Sequence, residues 1–148
     1  MNKEIGLPEA EHKRRIISYY EIAQPFYDLA WSGKTHGLHY GLWTDDNVKS
    51  RHDAITNENR VLADLAKIKK GDRVLDAGCG IGGSSIWLAQ NRGANVVGLN
   101  IVQRQLDIGK ELARKKRLSD KVSFQLGNYQ EIPFPENYAL PVQIRHPH

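Results

Sequence analysis

The segment Asp76-Ala77-Gly78-Cys79-Gly80-Ile81-Gly82-Gly83 sets four glycines directly behind a short apolar run. Glycine weakens both strands and helices, so this cluster marks a turn that needs backbone freedom. Gly78 permits a sharp turn, and Gly80 and Gly82 let backbone approach a ligand that a Cβ excludes. A helix beginning near Gly83 points its free N–H groups at the same ligand. Several classes of nucleotide-binding turn share this glycine spacing, so the residue ahead of it is more informative. Asp76, two positions before the first glycine, repels a pyrophosphate and suits an ammonium or sulfonium cation.

The elements around the turn follow from periodicity. Arg73–Ala77 reads as a short apolar strand, followed by a helix over Ser84–Asn91 that Gly93 closes. Asn95–Leu99 is a second strand, and Val102–Arg117 a helix with Val102, Leu106, Gly109 and Ala113 on one face. Val122–Leu126 alternates as a third strand. Strand and helix alternating with short connections predict a parallel sheet with its site at the strands' C-terminal ends. The fold class is α/β, the N-terminal half of a Rossmann-like three-layer sandwich with about three parallel strands, preceded by helices.

Upstream, Ile16, Ile17, Tyr20 and Ala23 recur at helical spacing between Pro8 and Gln24. Pro25 is expected to interrupt that helix, with "PFYDLAW" restarting as a short one. Ser32 to Asp45 reads as loop. A further helix spans roughly Val48 to Ala66, with Ile55, Leu62, Leu65 and Ala66 on one face and Asp45 and Asp46 as capping candidates. The chain divides into a helical cap at 1–70, a partial Rossmann-like domain at 71–139 and a tail at 140–148.

With 148 residues, 40% of them hydrophobic and 26% charged, the composition is that of an ordinary soluble globular domain. No apolar run approaches the roughly 20 residues of a membrane span, and the charged N-terminus is unlike a secretory signal. One cysteine, Cys79, excludes an internal disulfide and fits a reducing cytoplasm. The net charge of +4 resides largely in "KIKKGDR" and "KELARKKRLSDK". Both clusters end predicted helices, where cations complement the helix dipole, and no aromatic residue interleaves them as in a nucleic-acid platform. His36 with His39, and His146 with His148, lack cysteine or carboxylate neighbours, so no metal site is expected.

The segments "VLDAGCGIGG", "VVGLNIVQRQ" and "DKVSFQLGNYQEIPFP" together resemble class I S-adenosylmethionine (SAM)-dependent methyltransferases. They are similar to C-methyltransferases of the tocopherol and sterol type, and more distantly to cyclopropane fatty-acid synthases. "PFYDLAWS" resembles the aromatic segment that sterol methyltransferases place near substrate, and "LHYGLW" a loop that closes over the cofactor. The likeness runs from about Ser18 to Ala139. It implies that Asp76, Gly78 and Gly80 line the methionine part of SAM, with Gly82 shaping the turn. Asn100 stands where a carboxylate usually grips the ribose hydroxyls, and its amide can accept one hydrogen while donating to the other oxygen. Gln105 matches a cofactor-contacting glutamine of the cyclopropane synthases. Asn128 follows Gly127 where an acid usually accepts from the adenine amino group. Cys79, Ile101, Tyr129 and Tyr20 complete the implied cofactor contacts.

Methyl transfer from a sulfonium needs in-line positioning and exclusion of water more than acid–base groups. Aromatic faces can hold a sulfonium or a carbocation. Seven of the twelve aromatic residues fall between Tyr19 and Trp43, so Tyr27, Trp31, His39 and Tyr40 are the acceptor-side candidates. Helical spacing also fits Tyr27 and Trp31 to a core, and turn chemistry also explains Asn100 and Asn128.

After Ala139 the likeness ends, and "LPVQIRHPH" shows no clear strand or helix, as a premature stop or truncated gene would leave. The third strand is expected at one sheet edge, leaving the first strand exposed at the other, open to self-association. Three readings stand. The first is a SAM-dependent methyltransferase of a small hydrophobic acceptor with impaired activity. The second is a non-catalytic SAM- or S-adenosylhomocysteine-binding remnant. The third is an NAD-dependent oxidoreductase fragment, against which Asp76 and Asn100 both count.

Overall fold

Val74, Val96 and Val122 share one register position on three adjacent parallel strands, and all three are buried. The computed structural model describes residues 9–30, 40–44, 47–136 and 140–142. The strands are β1 (Arg73–Ala77), β2 (Asn95–Asn100) and β3 (Val122–Leu126), as the apolar alternation predicts to within one residue. A further strand, β4 (Leu140–Val142), gives a sheet of order β3-β2-β1-β4, with every pairing parallel.

β4 corrects two expectations. The segment after Ala139 does contain a strand, and the outer side of β1 is paired, with Val74, Leu75 and Asp76 opposite Leu140, Pro141 and Val142. A three-residue strand holding a proline has no periodicity to read. Proline lacks the ladder donor and is accommodated at a sheet edge, the place β4 takes among the described strands. The exposed β1 edge invoked for self-association is therefore absent.

Four helices accompany the sheet: α1 (Glu9–Ala30), α2 (Arg51–Leu65), α3 (Gly83–Arg92) and α4 (Gln103–Lys115). On α4 and its cap, Val102, Leu106, Gly109 and Ala113 are all buried, as their spacing requires. Leu106 and Ala113 join Cys79, Ala89, Val122 and Phe124 in one core cluster. A second cluster joins Ala63, Ile68, Leu88 and Ala94 to Val74 and Val96. The valine-bearing face of the sheet thus receives α2, α3 and α4 together.

α1 runs straight through Pro25 instead of breaking there. A proline inside a helix deprives the carbonyl four residues earlier of its donor. That carbonyl is Glu21, and Arg104 Nη1, on the first turn of α4, donates to it at 3.4 Å. The expected apolar face holds: Ile16, Ile17, Tyr20 and Ala23 are half-buried, while the other described side chains of α1 are exposed.

α2 starts three residues later than its sequence suggests, because Ser50 is the cap. Its hydroxyl accepts from the Asp53 amide while Asp53 accepts from the Ser50 amide, a reciprocal capping box. Asp45 and Asp46 lie outside the described residues. Ile55 is buried and Leu62 packs on the core, but Leu65 is exposed and Ala66 is the C-cap. The buried side of α2 instead carries Asn57 and Asn59. No helix among the described residues is long and apolar enough to cross a membrane.

Candidate functional site

β1 delivers the glycine turn to the C-terminal edge of the sheet, and β2 pins it there. The Leu99 carbonyl accepts from both Gly78 N and Cys79 N, at 2.8 and 3.1 Å. The end of β3 is tied on in the same way, with Gly127 N donating to the Asn100 carbonyl at 2.9 Å. Gly78, Asn100 and Gly127 therefore stand side by side, as the topology requires of a site at the strand ends.

Within the turn, Gly78 and Gly80 hold left-handed φ values of 84° and 55°, and a Cβ on either meets open space. A Cβ there would project into the open space over the turn without touching protein. Gly82, also left-handed, differs: a Cβ there would overlap the Phe124 ring. The sequence assigns all three glycines to ligand or turn, whereas Gly82 also makes room for the core.

Asp76 is only 3% exposed, so it acts from beneath the turn. Ser85 Oγ donates to its Oδ2 at 2.6 Å, joining the first turn of α3 to the end of β1. Ser84 faces the other way and donates to Asn59 Oδ1 of α2 at 2.8 Å. Two adjacent serines thus bolt the start of α3 to a strand and to a helix. Sequence reading missed both, although polar residues at the apolar start of a buried helix are a legible signal.

Cys79 is buried under the same turn. Burial, and secondarily the charge of Asp76, pushes its thiol well above the ordinary range. It is a packing residue of the core and no nucleophile. An aromatic disulfide reagent at pH 8 is expected to label Cys79 only as fast as the chain unfolds. Labelling of the native chain at the rate of a free thiol would contradict that burial.

Asn100 is half-buried, and both hydrogens of its amide are engaged with its own chain. Its Nδ2 donates to the Gly80 carbonyl at 3.3 Å and to Gln105 Oε1 at 2.7 Å, and its Oδ1 accepts from Ile101 N at 2.8 Å. Gln105 is 2% exposed. Asn128 builds a turn, its Oδ1 accepting from Gln130 N at 3.0 Å, and Tyr129 beside it is exposed.

Tyr20 is half-buried, with its ring edge-on to Tyr19 at 5.3 Å. Burial and the neighbouring Tyr19 phenol raise its pKa. It precedes Glu21, whose carbonyl meets Arg104, so the backbone there lies near the start of α4. Tyr40 is exposed on a strap bound to α2. Leu42 N donates to the Ala54 carbonyl at 2.9 Å, and Asn57 Nδ2 donates to the Leu42 carbonyl at 2.9 Å. Trp31, His36, His39, His146, His148 and the side chain of Tyr27 lie outside the described residues.

The turn, its buried acid and the aligned strand ends have a counterpart in known proteins. Residues 8–143 match the family model for mycolic acid cyclopropane synthetase. The chain belongs to the mycolic acid cyclopropane synthetase family. Among curated relatives of this family member is the sterol 24-C-methyltransferase of Pneumocystis carinii, 35% identical over 134 residues, covering 87% of this chain and 34% of the relative. The chain thus spans about a third of that relative's length. In structure it is similar to the [4+2]-cyclase SpnF, with a TM-score of 0.78 and 25% identity over 86% of this chain and 46% of that one. A geranyl diphosphate methyltransferase solved in complex with SAM is 27% identical, with a TM-score of 0.51, over 65% of this chain and 45% of that one. A cyclopropane-synthetase family assignment agrees with the Rossmann-like half fold expected from the turn and strand pattern.

Proposed function

We propose that the glycine turn holds SAM and that the protein uses it to methylate a small hydrophobic acceptor. One observation carries the reading. Gly78 and Gly80, both left-handed, leave open the space above the turn that any Cβ would enter, at the meeting point of three parallel strand ends. The family match supports it, as do relatives that are sterol and geranyl diphosphate methyltransferases.

SAM when bound supplies an electrophilic methyl group, so the chain's part is to bind, orient and exclude water. The backbone from Gly78 to Gly82 gives the floor. Asp76 adds negative potential from below, in a poorly solvated place where it favours a cationic sulfonium. Tyr27, Trp31, His39 and Tyr40 are proposed as the aromatic, acceptor-side wall, Tyr20 as a further cofactor contact, and Asn128 and Tyr129 as the adenine side. A cytoplasmic setting with small-molecule partners belongs to the same reading, given the single reduced thiol and basic residues placed at helix ends, such as Arg114 and Lys115 of α4.

Calorimetric titration is expected to show saturable binding of S-adenosylhomocysteine and none of NAD. Binding of NAD alone would overturn the proposal in favour of an oxidoreductase. A second reading, cofactor binding without methyl transfer, is favoured by the likeness to a cyclase. Turnover of labelled SAM with sterol and prenyl acceptors separates the two.

A further inference from the structure

We infer that Asn100 is a positioning residue whose side-chain NH2 group sets the shape of the glycine turn by holding the Gly80 carbonyl. The orientation of its amide is fixed by its partners. A backbone N–H can only donate, so the atom facing Ile101 N is Oδ1. A carbonyl can only accept, so the atom facing Gly80 O is Nδ2. The same NH2 group donates its other hydrogen to Gln105 Oε1, a buried side chain in the first turn of α4. One side chain therefore ties three pieces together: the end of β2, the floor of the turn and the helix that follows. Both amide hydrogens are spent on protein, which leaves neither for a ribose oxygen.

An ionised acid cannot do this work. A carboxylate at position 100 could still accept from Ile101 N, and Gln105 could turn its amide to donate. The Gly80 carbonyl has no such freedom and would face a negative oxygen. A protonated carboxyl, in contrast, has an O–H to give and restores the bond. The Asn100→Asp variant should therefore behave worst when ionised. A direct ribose ligand predicts the reverse, because the carboxylate is then the gripping form.

The surrounding elements carry several titratable groups. They are Arg73 and Asp76 on β1, Cys79 in the turn, Arg104, Asp107, Lys110, Glu111, Arg114 and Lys115 on α4, and Tyr129 and Glu131 after β3; β3 itself has none. Wild type carries the same groups, so the difference between variant and wild type isolates position 100.

The test compares Asn100→Asp, Asn100→Ala and wild type in the 148-residue chain by thermal melting from pH 4 to pH 8, without ligand. The Asp variant should melt with wild type near pH 4. It should fall several degrees below wild type as pH rises above about 4, the unfolded value of an aspartate. The Ala variant, with no donor at any pH, should show a constant deficit. An Asp variant that melts with wild type at pH 8 would overturn the inference. The second arm rests on the SAM reading and titrates S-adenosylhomocysteine. The Asp variant should bind about tenfold more weakly than wild type at pH 8 and recover as pH falls. Equal or tighter binding at pH 8 would mean a direct grip and also overturn it. If wild type binds no S-adenosylhomocysteine while the melting pattern appears, the SAM reading fails and the positioning role stands.

Discussion

Gly82→Ala is expected to destabilise the chain by about 2–4 kcal/mol, whereas Gly80→Ala costs about 1–2 kcal/mol and acts on binding instead. Both residues hold a left-handed φ, 83° and 55°, so an L-side chain is strained at either. What separates them is space. A Cβ at Gly80 enters open solvent above the turn, so the fold loses only the conformational term. A Cβ at Gly82 would overlap the Phe124 ring, which is itself packed in the core. The ring can move only by displacing its own neighbours, so an overpacking cost adds to the strain. Urea unfolding of both variants, followed by titration with S-adenosylhomocysteine, reads the two effects separately. Gly80→Ala should remain folded and lose at least about tenfold in affinity. A Gly82→Ala chain as stable as wild type would show that the ring has room to yield.

That contrast explains what the sequence could and could not reveal. The glycine pattern announces a turn at the end of β1, because only backbone requirements put so many glycines after an apolar run. It does not tell a glycine facing ligand from one facing the core, since that depends on a phenylalanine 42 positions later in the chain, by the difference between 124 and 82. β1 and β3 were legible to the residue because each is a short apolar segment between turn signals. β4 was not, since three residues carry no period and its pairing with β1 is a tertiary fact. Pro25 misled for a related reason. The local rule orphans the Glu21 carbonyl, and the partner that takes it up, Arg104, is 83 residues away.

The site shows the same division. Asn100 was readable as a polar residue at a strand end where a ligand contact belongs. Its geometry gives it a nearer task, because Gly80 and Gln105 already take both hydrogens of its amide. Asp76 was readable as a charge beside the turn, but its burial and the Ser85 bond place it underneath. Charge acts at a distance, so this position still favours a cation above the turn, whereas a hydrogen bond to that cation's ligand would need exposure. Ser84 and Ser85 anchor the first turn of α3 to α2 and β1, and with it the direction of its first N–H groups. Neither serine needs to touch a ligand to matter for binding.

Phe124→Ala is expected to cost about 3–4 kcal/mol, among the larger single-residue losses available to this chain. The ring lies between the turn, β2 and α4. Beyond Gly82, a Cβ at Gly98 would come within 2.8 Å of it, and one at Gly109 within 2.9 Å. Three elements thus give up their side chains at the point where one aromatic ring from β3 passes, which makes the ring the common spacer that sets their separation. Removing it leaves a void bordered by three glycines with no side chain to move into it, so the cavity cost stays high. A double-mutant cycle isolates the contact between the ring and position 82. In the Phe124→Ala background the Cβ of Gly82→Ala meets empty space, and only its conformational strain remains. The double variant should therefore be more stable than the sum of the single losses by about 1 kcal/mol or more. Urea midpoints of the four proteins measure the coupling directly. Simple additivity would mean that strain at φ 83°, and not the ring, is what forbids a side chain at Gly82.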